Sequence, residues 1–244
     1  MFPSPSKARR LWIKAKNTAL DVLFPPICLN CRRRLEIRNK MVCDDCLSLI
    51  RINNTLFCPI CRARLADNKK ICHYQSQYLL AAAGNYDDLI LQNLIHHFKY
   101  KGFKTLAPIL GEMLLKYMDN SNLTGRLTNY LIIPTPLHSR REKERGFNQS
   151  KLLAEILCRQ LNLSLVEGLK RAKNNKPQIE FKGIEARSKN VADCFEMKNS
   201  DFIQGRNIIL VDDVFTSGAT AGEAVKILKN NGAGKIIVLT LAKA

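Results

Sequence analysis

Within Asp212-Asp213-Val214-Phe215-Thr216-Ser217-Gly218-Ala219-Thr220, two carboxylates, three hydroxyls and a glycine follow directly on the apolar run Ile208-Ile209-Leu210-Val211. A small-residue loop that opens a helix offers backbone N–H groups to an anion, and the hydroxyls of Thr216, Ser217 and Thr220 can complete the shell around a phosphate. Gly218 lets the backbone come close, and Ala219 adds no bulk. Asp212 and Asp213 would repel that phosphate unless they had other work. Accepting hydrogen bonds from the vicinal hydroxyls of a ribose, with Mg²⁺ nearby, supplies it. The plainer alternative is an acidic turn before a capped helix. The segment reads as a ribose-phosphate cradle.

A second chemistry lies in the cysteines. Seven of the nine fall between Cys28 and Cys72. Cys28-x2-Cys31-x11-Cys43-x2-Cys46 places two thiolates at each of two knuckles, and two knuckles complete a tetrahedron around zinc. Four protein ligands leave no open position, so the expected metal is structural. Cys58, Cys61 and Cys72 look like a second, incomplete ribbon, because position 75 is Gln. His73 is available as the fourth ligand, although adjacent ligands converge on one metal only with strain. Spacing alone leaves the pairing open, since Cys28 and Cys31 could share a metal with Cys58 and Cys61. Cys158 and Cys194 stand apart and read as small buried hydrophobes.

These groups need a frame. From Leu79 the texture becomes strands alternating with amphipathic helices. Strands are expected at 79–86, 130–134, 207–211 and 236–241, and helices at 87–98, 105–118, 148–161 and 220–230. Apolar strands between such helices mean a parallel sheet covered on both faces. The stretch 170–206 is charged and weakly periodic, and reads as a long loop. Residues 8–24 form a basic amphipathic helix ended by Pro25-Pro26, suited to packing on its own domain or to an acidic membrane surface. The expected organisation is a basic helix over 1–27, a zinc-ribbon module over 28–78 and an α/β domain over 79–244.

Net charge is +18, and it is unevenly spread: 15 basic against 5 acidic residues in 1–78, and 24 against 16 in the remainder. Such an excess favours phosphate-bearing partners. Arg32-Arg33-Arg34 follows the first knuckle with few aromatics nearby, so attraction to a nucleic-acid backbone is expected over base readout, with protein docking an equal competitor. No apolar run reaches the roughly 20 residues of a membrane span. A secretory signal is also lacking, so the expected location is cytoplasmic, with the inner face of the cytoplasmic membrane open to the basic helix.

The thirteen residues Ile208–Thr220 resemble the phosphoribosyl-pyrophosphate motif of type I phosphoribosyltransferases. Leu131-Ile132-Ile133-Pro134-Thr135-Pro136-Leu137-His138, with Arg140, Arg141 and Arg145-Gly146-Phe147-Asn148-Gln149, resembles the first strand and pyrophosphate loop of the ComF competence family. Lys99-Tyr100-Lys101-Gly102 is similar to another segment of that family, as is Lys176-Pro177-Gln178 with Arg187 and Asn190; Asn175 departs from the Thr often found there. The resemblance implies a phosphoribosyltransferase-like α/β fold behind a zinc ribbon. It further implies phosphoribosyl pyrophosphate and Mg²⁺ as ligands, with Thr135, Arg141 and Arg145 at the pyrophosphate. Physically, an Arg-rich loop at a strand end suits a second anion, although Glu142 and Glu144 could make it a solvated face. The lone His138 is expected to be structural. The family's role is uptake of single-stranded DNA during natural transformation, with the zinc module docking DNA or a protein of the uptake machinery. An active transferase using an amine or base acceptor is the alternative, although no catalytic residue or base-recognition hood is identifiable.

The two-knuckle spacing predicts at least one tightly held Zn²⁺ per chain, lost on Cys28→Ser or Cys43→Ser. Metal analysis finding less than about half a zinc per chain would contradict four-ligand binding.

Overall fold

The computed structural model describes residues 25–37, 40–65, 72–173, 191–198 and 200–244. The basic helix expected over 8–24 and the Lys176–Asn190 motif lie outside these. The chain divides into two compact units, Met1–Leu49 and Ile50–Ala244. In the first, the Cys28 knuckle turns through Arg32, whose φ of 63° lets its N–H reach the Cys28 carbonyl at 3.0 Å. Ile27 bridges Arg34 antiparallel, and α1 (Asp44–Leu49) carries Cys46 inward. Cys28, Leu35, Val42 and Cys46 are buried together, a core too small to stand without a metal.

The second unit is a mixed α/β layer built on a mostly parallel sheet. Its strands are β1 (Leu56–Phe57), β2 (Arg64–Leu65), β3 (Leu79–Asn85), β4 (Tyr130–Pro134), β5 (Ser164–Leu165), β8 (Asn207–Phe215) and β9 (Ile236–Lys243). Among the described residues they run in the order β2-β1-β3-β9-β8-β4-β5. From β3 to β5 all neighbours are parallel, whereas β1 and β2 add an antiparallel edge. Residues 56–57 and 64–65, which flank the turn carrying Cys58 and Cys61, are thus part of the sheet. The parallel strands are buried on both faces because helices cover both. Leu80, Ala81, Ala82, Ala83, Ile208 and Ile209 have at most 1% of their surface exposed, which a one-sided sheet would not allow.

The helices are α2 (Leu89–Tyr100), α3 (Ala107–Asn120), α4 (Ser139–Arg145), α5 (Gln149–Leu161) and α6 (Ala219–Asn230). Asp88 caps α2 by accepting from the N–H groups of Ile90 and Leu91 at 3.0 and 3.1 Å. Leu91, Leu94, Ile95 and Phe98 form its buried face, and Lys101 followed by Gly102 at φ 72° ends it. Asn148 caps α5 by accepting from the Lys151 N–H at 3.3 Å, while Asn162 closes it in the left-handed region.

Two stretches differ from the sequence expectation. Leu169–Arg171 (β6) and Phe195–Met197 (β7) pair antiparallel inside the stretch read as a loop. Strands of three residues give no usable period-2 pattern, yet Leu169, Phe195 and the neighbouring Val191, Cys194 and Ile203 are buried in the same core. The Arg-rich loop after β4 is the helix α4, which buries none of its residues and so has no apolar stripe to reveal it. His138 caps it by accepting from the Arg140 N–H at 3.2 Å, in keeping with a structural role, and Gly146 at φ 77° ends it.

α5 presents its N-terminus to the end of β8, and its seat on α3 decides where that end lies. At Gly111 a Cβ would stand 2.7 Å from Ile156 Cγ2 and 3.3 Å from its Cβ, so the close helix approach requires hydrogen there. Overpacking should outweigh the roughly 1 kcal/mol of helix propensity that alanine adds. Gly111→Ala is predicted to lower unfolding stability by about 1 kcal/mol, and Gly111→Val by more. A denaturant midpoint unchanged or raised in both variants would contradict this packing.

Candidate functional site

β8 is longer than the strand beside it. It pairs with β4 only as far as Pro134↔Val211, but with β9 on to Phe215↔Lys243. Asp212 and Asp213 therefore stand just past the end of β4, bounded by β9 on one side only. The connections also diverge here. From β4 the chain crosses through α5 to β5 on one flank, and from β8 through α6 to β9 on the other. Open α/β sheets bind ligands at such a reversal, outside the carboxyl ends of the strands.

The two carboxylates are held differently. Asp213 accepts an ion-paired hydrogen bond from Lys99 Nζ at 2.8 Å, with side chains only 12% and 21% exposed. Burial works against the Lys99 charge, but the Asp213 carboxylate outweighs it and raises the ammonium's pKa. Asp212 Oδ1 accepts from Ser150 Oγ at 3.2 Å and from the Asp213 N–H at 2.9 Å. Burial and the Asp213 charge nevertheless push its carboxyl up to about 7, against the pull of Lys99, the Asp213 N–H and the Ser150 hydroxyl. Among the described residues, one carboxylate is neutralised by a cation and the other has no equivalent partner. Donors or a divalent ion from a ligand would complete it.

Beyond the pair, an open cleft is lined by Asp212, Thr216, Gly218, Ala219, Thr220 and Thr240 among others. Gly218 caps α6 at φ 78°, and its carbonyl accepts the first helical bond from the Gly222 N–H at 2.7 Å. A Cβ there would stand 2.7 Å from Phe215 Cζ and 3.3 Å from Tyr78 Oη. Both conformation and space demand glycine. Ser217 Oγ lies 3.4 Å from the Ala219 nitrogen, at the start of the helix.

The second group of sequence candidates sits at the end of β4 and on α4. The Thr135 N–H donates to the Val211 carbonyl at 2.9 Å, and Asn148 Nδ2 donates to the Thr135 carbonyl at 3.1 Å, tying this loop to β8 and α5. Arg145 donates to Gln149 Oε1 at 3.2 Å and lies over the Tyr100 ring at 5.1 Å. Burial, then Arg171 and Arg145, depress the pKa of Arg141, so three guanidinium groups stand close enough to repel. Arg171, on β6, has 9% of its surface exposed, and among the described residues neither its Nε nor the buried Thr135 Oγ1 has a hydrogen-bond partner. Such groups fit an anion. The sequence reading gave no role to Lys99, Ser150 or Arg171. Lys99 stood in a noted motif, whereas Ser150 and Arg171 carried no local signal.

Among the described residues, two clusters could hold a metal ion. Each groups four ligand atoms within 4.8 Å of one another: Cys28, Cys31, Cys43 and Cys46 in the first unit, Cys58, Cys61, Cys72 and His73 in the second. This resolves the pairing that spacing left open. The separations Cys31–Cys43 (3.6 Å), Cys61–Cys72 (3.3 Å) and Cys58 Sγ–His73 Nδ1 (3.4 Å) approach the edge of about 3.8 Å expected for a tetrahedral zinc with thiolate ligands. Backbone N–H groups of Cys31, Cys43 and Asn30 overcome burial to hold the Cys28 thiol down at about 6. Although the Asn30 amide pulls the other way, burial and the three neighbouring sulfurs push Cys46 up to about 12. Zinc relieves that crowding of negative charge.

Comparison with known proteins finds two domain families, and the zinc-ribbon match runs across the boundary between the two compact units. The phosphoribosyl transferase domain family matches residues 148–244, and the double zinc ribbon domain family matches 19–75. Competence protein F of Haemophilus influenzae is 33% identical over 159 residues, covering 63% of this chain and 68% of that protein. DNA utilization protein YhgH of Escherichia coli K12 is 33% identical over 155 residues, covering 63% and 67%. Competence protein ComFC of Bacillus subtilis is 29% identical over 231 residues, covering 93% and 88%. With a zinc ribbon ahead of a phosphoribosyltransferase domain, the chain belongs to the ComF competence family.

Proposed function

We propose that this protein binds phosphoribosyl pyrophosphate with Mg²⁺ and serves as a cytoplasmic ComF-type factor in DNA uptake during natural transformation. The observation that carries the reading is the carboxylate pair at the reversal of strand order, followed by a glycine-capped hydroxyl loop. Asp212 and Asp213 would accept from the ribose hydroxyls. Thr216, Ser217, Gly218, Ala219 and Thr220 would hold the 5′-phosphate, while Thr135, Arg141 and Arg145 would face the pyrophosphate. Mg²⁺ would neutralise the pyrophosphate beside the acidic pair. The excess basic charge of residues 1–78, with exposed Arg32 and Arg34, favours weak, salt-sensitive attraction to single-stranded DNA, and a competence-machinery protein is the other candidate partner. Arg33 contributes less to that attraction because its guanidinium is already bonded to Asp45.

The other reading is an active phosphoribosyltransferase with an amine or base acceptor, in which the same cradle would hold the donor while its pyrophosphate departs. Release of pyrophosphate on adding candidate acceptors separates transfer from binding alone.

The two acids should separate under mutation. The Asp212 pKa is raised from 3.8 to about 7, so its charged form weakens the fold progressively between pH 4 and pH 7, and the cost is fully present above pH 7. At pH 8, Asp212→Asn is predicted to raise unfolding stability by about 1–3 kcal/mol. Asp213→Asn strands the buried Lys99 charge and is predicted to lower it by a similar amount, about 1–3 kcal/mol. Each variant, and the double variant with its fold intact, should lose phosphoribosyl pyrophosphate binding by calorimetry. Wild-type affinity in the double variant would refute the ribose assignment.

A further inference from the structure

The second metal cluster and the hydroxyl loop belong to one unit, and a single side chain joins them. Arg62 follows Cys61 directly. Its backbone, at φ 61°, closes the knuckle by donating to the Cys58 carbonyl at 2.8 Å. Its guanidinium then spans the ends of two strands: Nη2 donates to the Thr216 carbonyl at 2.7 Å and Nη1 to the Ala244 carbonyl at 2.5 Å. A trans peptide points its carbonyl and its N–H in opposite directions. Fixing the Thr216 carbonyl therefore fixes the Ser217 N–H, one of the donors in the proposed phosphate cradle.

A second contact links the same two places. Tyr78 Oη would lie 3.3 Å from a Cβ on Gly218, so the ring packs against the loop. Tyr78 also packs on the core that contains Phe57, the residue before Cys58. The arginine's left-handed backbone costs free energy that a collapsed knuckle would release.

We infer that Arg62 is a positioning residue that carries the order of the Cys58–Cys61–Cys72–His73 cluster into the Thr216–Thr220 loop, so that anion binding at the loop depends on zinc at this cluster. In its ligand aspect the inference rests on the function proposed above; in its structural aspect it does not. Cys58, Cys61, Cys72 and His73 would hold the metal, and Arg62 would pass on the shape it imposes.

The test uses the full chain. Hydrogen exchange by mass spectrometry follows the amides of 214–220, and calorimetry follows phosphoribosyl pyrophosphate with Mg²⁺. Arg62→Ala should speed loop exchange and weaken the ligand by about ten-fold each, in the range for hydrogen bonds from a charged donor. Arg62→Lys, which can keep one of the two bonds, should fall between. Cys72→Ser should reproduce the fast loop exchange, and adding Arg62→Ala to it should change little further, because both act through one connection. Loop exchange in Arg62→Ala equal to wild type overturns the inference, as do additive effects of the two substitutions. Should Cys72→Ser not fold, the two Arg62 variants decide the matter through exchange. Should the wild-type protein bind no phosphoribosyl pyrophosphate while Arg62→Ala still loosens the loop, the ligand reading fails and the coupling stands.

Discussion

Two negative charges on adjacent residues at the mouth of a buried strand repel each other by about 2–4 kcal/mol at the effective dielectric of such a site. Everything around Asp212 and Asp213 responds to that constraint. Lys99 is carried to the site by α2 and neutralises Asp213 at 2.8 Å. Ser150 is carried there by α5 and donates to Asp212. Gln149 donates to the Lys99 carbonyl at 3.3 Å, so the two helices are also bound to each other beside the acids. The compensation is incomplete, because Asp212 remains pushed up to about 7. A costly charge left beside a hydroxyl loop is what the proposed ligand would satisfy.

Zinc chemistry enters the same account through geometry. The ribbons have too little apolar surface to fold on their own, so metal must supply what a core would. The second ribbon is braced besides by the sheet: Phe57 pairs with Leu80 of β3 and lies under the Lys243 ammonium at 4.7 Å. The Tyr117 hydroxyl donates to the Thr55 carbonyl at 2.7 Å from α3. A ribbon that contributes strands to the sheet carrying Asp212 and Asp213 is part of the candidate site's frame.

Much of this was legible in the sequence. Long, strongly periodic elements declared themselves: α2, α6, β3, β4 and β9 lie within two residues of where periodicity and apolar runs placed them. β8 continues past Val211 to Phe215, because Asp212 and Asp213 break the apolar pattern without breaking the strand. Short pieces were not legible. β6 and β7 are three residues each, and their pairing depends on a core assembled from distant segments. α4 is held by its caps, not by an apolar stripe. The same distinction governs the site. The acids and hydroxyls are contiguous in sequence, whereas Lys99, Ser150, Arg171 and Arg62 reach their partners only through the fold.

The most direct measurement is a crystal structure of the protein soaked with phosphoribosyl pyrophosphate and Mg²⁺. The account predicts the 5′-phosphate within hydrogen-bond distance of the Thr216–Thr220 loop and the ribose hydroxyls on Asp212 and Asp213. A ligand bound elsewhere, or a well-diffracting soaked crystal with no ligand at this loop, would contradict it.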